Sequence, residues 1–128
     1  VELEKLKIAG LNDIYSVPQV QKEFEKAVNE KWKNNPPWER YQRKLIQDLA
    51  VLDQEKEQAI ELAHFEKLSG EDNLYSIRHP ETKKNVRILY TIEEGVVILL
   101  TAFLEKNEGD YLIAMRKAKR RRRMLLEE

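Results

Sequence analysis

The chain is expected to fold as an α+β protein. A small antiparallel sheet, a three-stranded meander with room for a fourth edge strand, carries helices packed on it from the N-terminal side and a basic helix from the C-terminal side. Three observations predict this. Apolar residues of the first half recur at three- and four-residue spacing, the period drops to two between Leu74 and Phe103, and helical spacing returns from about Asp110 in a segment holding Arg120-Arg121-Arg122-Arg123.

Val20, Phe24, Ala27 and Val28 form the stripe of a first helix, with Pro18 just ahead of it. Asn34-Asn35-Pro36-Pro37 should end it, because proline lacks an N–H and disfavours the helical region for the residue before it. Trp38, Tyr41, Leu45, Leu49 and Leu52 mark a second helix, and Asp53 can cap a third that carries Ile60, Ala63 and Leu68. With no Gly or Pro between them these two could be one rod; a hairpin turning at Asp53 buries more and is preferred. Leu74 to Arg78 then reads as a short strand. Val86, Ile88, Tyr90 and Ile92 alternate with Arg87, Leu89 and Thr91, as in a strand with one face in the core. Val96 to Phe103 is apolar on both faces and reads as a central strand. Glu93-Glu94-Gly95 supplies the tight hairpin between them. The last helix aligns Tyr111, Ala114, Met115, Ala118 and Leu125, with Arg116, Lys119, Arg120 and Arg123 turned away. Before Pro18, Leu6 and Ile8 could begin an extra strand, or Leu3 to Leu11 a short helix.

The 128 residues suit one compact unit with one core, and 41% hydrophobic with 36% charged residues describes a helix-rich, water-soluble chain. The absence of cysteine excludes disulfides and thiolate chemistry, no apolar run approaches a membrane span, and VELEKLKIAG has no signal-peptide core, so a cytoplasmic location is expected. Net charge is zero, but its distribution is uneven. Residues 1–72 hold 11 Lys and Arg against 15 Asp and Glu, and residues 73–128 hold 12 against 8. Such a dipole is compatible with a basic working end on an acidic scaffold.

There is no phosphate-binding glycine loop, no HExxH, no GxSxG, and His64 and His79 are the only histidines, so neither a metal nor a cofactor is expected. The basic residues are the stronger signal. Arg78 ends one strand and Arg87 opens the next, so the meander can set them side by side as a clamp for phosphate oxygens; the alternative is strand arginines paired with glutamates. Lys106 joins this group. His79, Lys83, Lys84, Lys119, Arg120 and Arg123 are candidates for contact with an RNA backbone, although a basic helix face is also an ordinary solvated surface.

Leu74-Tyr75-Ser76-Ile77-Arg78, Arg87-Ile88-Leu89-Tyr90, the run from Val97 to Lys106, Tyr111 with Ala114 and Ala118, and Phe65 to Gly70 together resemble the core of the RelE/HigB superfamily of toxins, especially its phage-derived Gp49-like branch. The resemblance spans residues 65–123. It implies a RelE-like toxin domain over residues 1–128, with 1–35 as an N-terminal extension, 36–70 as a helical pair, 73–104 as the sheet and 109–126 as the last helix. It also implies a type II toxin-antitoxin system, in which a ribosome-dependent endoribonuclease cuts messenger RNA and so inhibits translation. The partners implied are the ribosome, its mRNA and a cognate antitoxin, often with a DNA-binding domain, in a hetero-oligomer. The chemistry implied is metal-free attack of a ribose 2′-hydroxyl on the adjacent phosphate. On this resemblance Arg87 would stabilise the transition state and Tyr111 would transfer a proton or stack on a base. Glu105-Lys106 stands where many active members have a basic pair, so Glu105 is either the general base, with Lys106 supplying charge, or a sign of weak catalysis.

Two other readings compete. One is a non-enzymatic relative of the same fold that poisons DNA gyrase by binding. The other is a small helical interaction protein whose basic end is only surface.

Overall fold

The structure, a computed structural model, describes residues 2–31, 38–70, 73–79 and 85–127. Its strands are β1 (Glu4–Lys5), β2 (Ile14–Ser16), β3 (Phe65–Lys67), β4 (Tyr75–His79), β5 (Asn85–Glu93) and β6 (Val96–Glu105). The helices are α1 (Val20–Lys31), α2 (Trp38–Glu55) and α3 (Glu108–Leu126), with a 3-10 helix at Lys56–Glu61.

The six strands form one mixed sheet in the order β1-β2-β6-β5-β4-β3. This corrects the expected three- or four-stranded antiparallel sheet. The meander β4-β5-β6 lies at its centre, but β3 extends it on one side, and β2 extends it on the other by pairing parallel to β6, Ile14 to Val97 and Ser16 to Leu99. The added strands have two or three residues each, too few for a period of two to be visible, and parallel pairing of β2 with β6 leaves no hairpin signal between them.

The second correction concerns the helical pair. Asp53 does not cap a third α-helix. Lys56 adopts φ 51°, a left-handed conformation that ends α2, and the chain continues as the short 3-10 helix and then β3. Asp53 instead accepts hydrogen bonds from the backbone N–H groups of Asn12, at 2.9 Å, and Asp13, at 2.8 Å, while Lys56 lies 3.4 Å from the Asp13 carboxylate. Burial alone would raise the Asp53 pKa, but these two N–H donors and Lys56 bring it below its ordinary value. The carboxylate therefore clips the turn before β2 to the end of α2. Asp53→Ala is expected to lower stability by about 1–3 kcal/mol, with faster hydrogen exchange at the Asn12 and Asp13 amides; unchanged exchange there would show that the clip does not hold the arm.

Ile88 and Leu99 share an apolar groove with Val20 and Phe24 of α1 and Leu45 and Leu49 of α2, so these helices cover one face of the sheet. The proposed break at Asn34 to Pro37 lies outside the described residues. The other face receives α3, whose small Ala114 and Ala118 are buried and allow close approach to the strands. Asn107 caps this helix, its side chain accepting from the Asp110 N–H at 3.1 Å. Glu94 and Gly95, at φ 52° and 79°, make the β5–β6 turn that the sequence predicts.

A register shift between Leu89 and Tyr90 leaves Leu100 unpaired, since Leu89 faces Thr101 and Tyr90 faces Leu99. Arg121 of α3 donates to the freed Leu100 carbonyl at 2.8 Å. Glu23 of α1 accepts from Thr101 Oγ1 at 2.9 Å, from Arg121 through both Nη atoms at 2.9 and 3.0 Å, and from Lys117 at 3.4 Å. This knot joins α1, β6 and α3. Arg122 is likewise structural, donating to Glu93 at 2.8 Å and Thr91 at 3.2 Å.

Candidate functional site

On the α3 side of the sheet an open cleft of about 440 Å³ is lined by Glu66, Arg87, Glu105, Lys106, Asn107, Glu108 and Tyr111. Four of the seven, Arg87, Glu105, Lys106 and Tyr111, are candidates named from the sequence. Three elements bring them together. Arg87 stands early in β5, Glu105 ends the neighbouring β6, and Tyr111 occupies the first turn of α3.

Arg87 is the centre of the cleft and only 8% exposed. Its Nε donates to Glu105 at 3.0 Å, and its Nη1 donates to Glu66 and, at 3.2 Å, to Ser76 Oγ. The guanidinium lies over the Tyr111 ring, 5.3 Å from its centroid, and Tyr111 meets Phe103 edge to face at 6.3 Å. Nη2 has no partner among the described residues. Burial alone would lower the Arg87 pKa, but Glu66 and Glu105 raise it, so the side chain is a permanent cation. The Tyr111 pKa is raised, mainly by burial; Arg87 opposes the shift and the two carboxylates add to it. Its phenol is therefore protonated at neutral pH and able to donate.

Arg78 is directly opposite Arg87 in the β4–β5 ladder, on the same face of the sheet, but it is not among the residues that line the cleft. His79 ends β4, and its side chain lies outside what the structure describes, as do Lys83 and Lys84. Lys119 and Arg123 line a different open cleft with Gly70, Leu74, Arg122, Leu126 and Glu127, and Arg120 is exposed on α3. At 1.5 Å rise per residue, Lys119 and Arg123 sit about 12 and 18 Å along the helix from Tyr111. The basic stretch is thus separate from the Arg87 cleft.

Sequence reading missed Glu66 and Ser76. Glu66 lies in a strand of three residues where the sequence predicts the end of a helix, and Ser76 is an ordinary strand serine until the register puts it beside Arg87. The only signal available was the polar Glu66 between Phe65 and the Leu68 side of the core, which is too little to assign a face.

The family profile described as Phage derived protein Gp49-like (DUF891) matches residues 30–123. The chain belongs to this Gp49-like family. The matched span runs from the end of α1 to the last turns of α3 and so contains every residue of the cleft. No curated protein and no solved structure matches the chain. Among the described residues there is no group of three or more His, Asp or Glu able to hold a metal ion, and no helix long and apolar enough to cross a membrane.

Proposed function

We propose that this Gp49-like chain is a toxin that cleaves messenger RNA on the ribosome, with the Arg87 cleft as its active site and an antitoxin as its partner. The observation that carries this reading is the convergence of a buried arginine, a carboxylate and a protonated tyrosine in one open cleft: Glu105 at 3.0 Å from Arg87 Nε, and the Tyr111 ring beneath the guanidinium. These are the three functions that metal-free cleavage of a phosphodiester needs.

In this mechanism Glu105 takes the proton of a ribose 2′-hydroxyl, and the resulting oxygen attacks the adjacent phosphorus. The new O2′–P bond forms a phosphorane whose charge Arg87 stabilises through its planar fork. The P–O5′ bond breaks, and the Tyr111 phenol gives its proton to the departing O5′. The products are a 2′,3′-cyclic phosphate and a 5′-hydroxyl, and proton exchange with water restores both side chains. Lys106 and Arg78 add positive charge for the flanking phosphates, and Lys119, Arg120 and Arg123 make a backbone contact further along the RNA.

The test is a ribosome-containing cleavage assay with end-group analysis of the products. Tyr111→Phe keeps the ring under Arg87 but removes the proton, and it is expected to lower the rate by about 10²-fold without changing thermal stability. A wild-type protein that leaves mRNA intact but blocks supercoiling by gyrase would replace this reading with the non-catalytic one.

A further inference from the structure

Arg87 in the free protein is held by two carboxylates that are not equivalent. Glu105 is on a long strand and its side chain is 22% exposed, while Glu66 is on the three-residue edge strand β3 and its side chain is 50% exposed. Both bind the same small, buried guanidinium, and three carboxylates outnumber the two cations in the lining of the cleft. An incoming phosphate would meet a site whose charge is already compensated. It can reach Nη2 directly, but a two-pronged contact with the Nη edge of Arg87 requires the position that a Glu66 oxygen now occupies on Nη1.

We propose that Glu66 is an internal stand-in for the phosphate of the ligand: it holds Arg87 in the empty site and swings into solvent when a phosphate takes its place on Nη1. Ser76 Oγ, the other acceptor on Nη1, keeps the guanidinium in position during the exchange. The cost of this exchange is small on the Glu66 side, because a half-exposed carboxylate regains most of its hydration when released. It is large on the Glu105 side, and so Glu105 remains in place. The latch makes the site selective by geometry: Glu66 engages Nη1 alone, whereas a phosphate, even a singly charged diester, can set its two non-bridging oxygens on Nη1 and Nη2 together. The proposal rests on the Arg87 cleft being a phosphate site, not on any cleavage taking place there.

The experiment is a titration of the intact protein with inorganic phosphate, followed through the Nε–H resonance of Arg87, in the wild type, Glu66→Gln and Glu66→Asp. Removing the competing charge in Glu66→Gln is expected to tighten phosphate binding about three- to tenfold, and Glu66→Asp, with a shorter reach to Nη1, to tighten it by less. Unchanged or weaker binding in Glu66→Gln, with the fold intact by its amide spectrum, would overturn the latch. The same variants bound to a short oligonucleotide with 2′-O-methyl riboses, which cannot be cleaved, separate this result from the cleavage reading. Tighter binding by Glu66→Gln together with an inactive wild type on ribosomes would sustain the latch and sink the nuclease.

Discussion

On the proposed mechanism, replacing Arg87 with alanine is expected to lower mRNA cleavage by about 10³-fold, the largest loss of activity from any single change in the cleft. No other described side chain there combines a fixed positive charge with donors on several sides, and Lys106 is a point charge that cannot present a planar fork. Alanine also leaves Glu66 and Glu105 facing a vacated buried position, so some of the loss could come from a weaker fold. Arg87→Lys separates the two causes. It keeps a cation between the carboxylates, and it is expected to retain most of the thermal stability while still losing the greater part of the rate. Wild-type cleavage in Arg87→Lys would mean that charge alone suffices and that the fork has no role.

The largest effect on stability is expected at Glu23. Its side chain accepts from Arg121, Lys117 and Thr101, and removing its charge leaves the Arg121 guanidinium, 15% exposed, without its counter-ion. Glu23→Gln is expected to cost about 2–4 kcal/mol in urea unfolding at neutral pH, slightly below the range for fully buried pairs because the site is partly open. Burial alone would raise the Glu23 pKa, but Arg121, Thr101 and Lys117 bring it below its ordinary value. A carboxylate depressed in this way contributes stability that is complete above its unfolded pKa and disappears as the pH falls through its folded pKa. The gap between wild type and Glu23→Gln should therefore close on the acid side of the ordinary glutamate range. A gap independent of pH would assign the loss to packing.

The parts of the fold visible in the sequence are those with enough residues to repeat. β5 and β6 have nine and ten residues, and their alternation, their Glu94-Gly95 turn and the Ala114–Ala118 stripe of α3 could all be read directly. β1, β2 and β3 have two or three residues, too few to repeat, and β2 is placed by pairing with the distant β6. The same limit applies to the cleft. Arg87, Glu105 and Tyr111 lie on the long elements and can be singled out from the sequence, whereas Glu66 and Ser76 come beside Arg87 only through the β3–β4–β5 register. Within the arginine run, composition could not distinguish Arg121 and Arg122, which are tied to Glu23 and Glu93, from Arg120 and Arg123, which are exposed. The difference is one of helical phase against a β-bulge that has no sequence signature.

The parallel pairing of β2 with β6 also bears on when the fold and its cleft can be completed. Ile14 waits for Val97, and Glu23 waits for Arg121, a partner 98 residues later. Contacts this distant slow folding, because the loop must close before either end gains from the contact. During synthesis the N-terminal arm emerges long before its partners exist. Arg87, Glu105 and Tyr111 are likewise brought together only when α3 has docked on the sheet, so the cleft is among the last parts of the molecule to be completed.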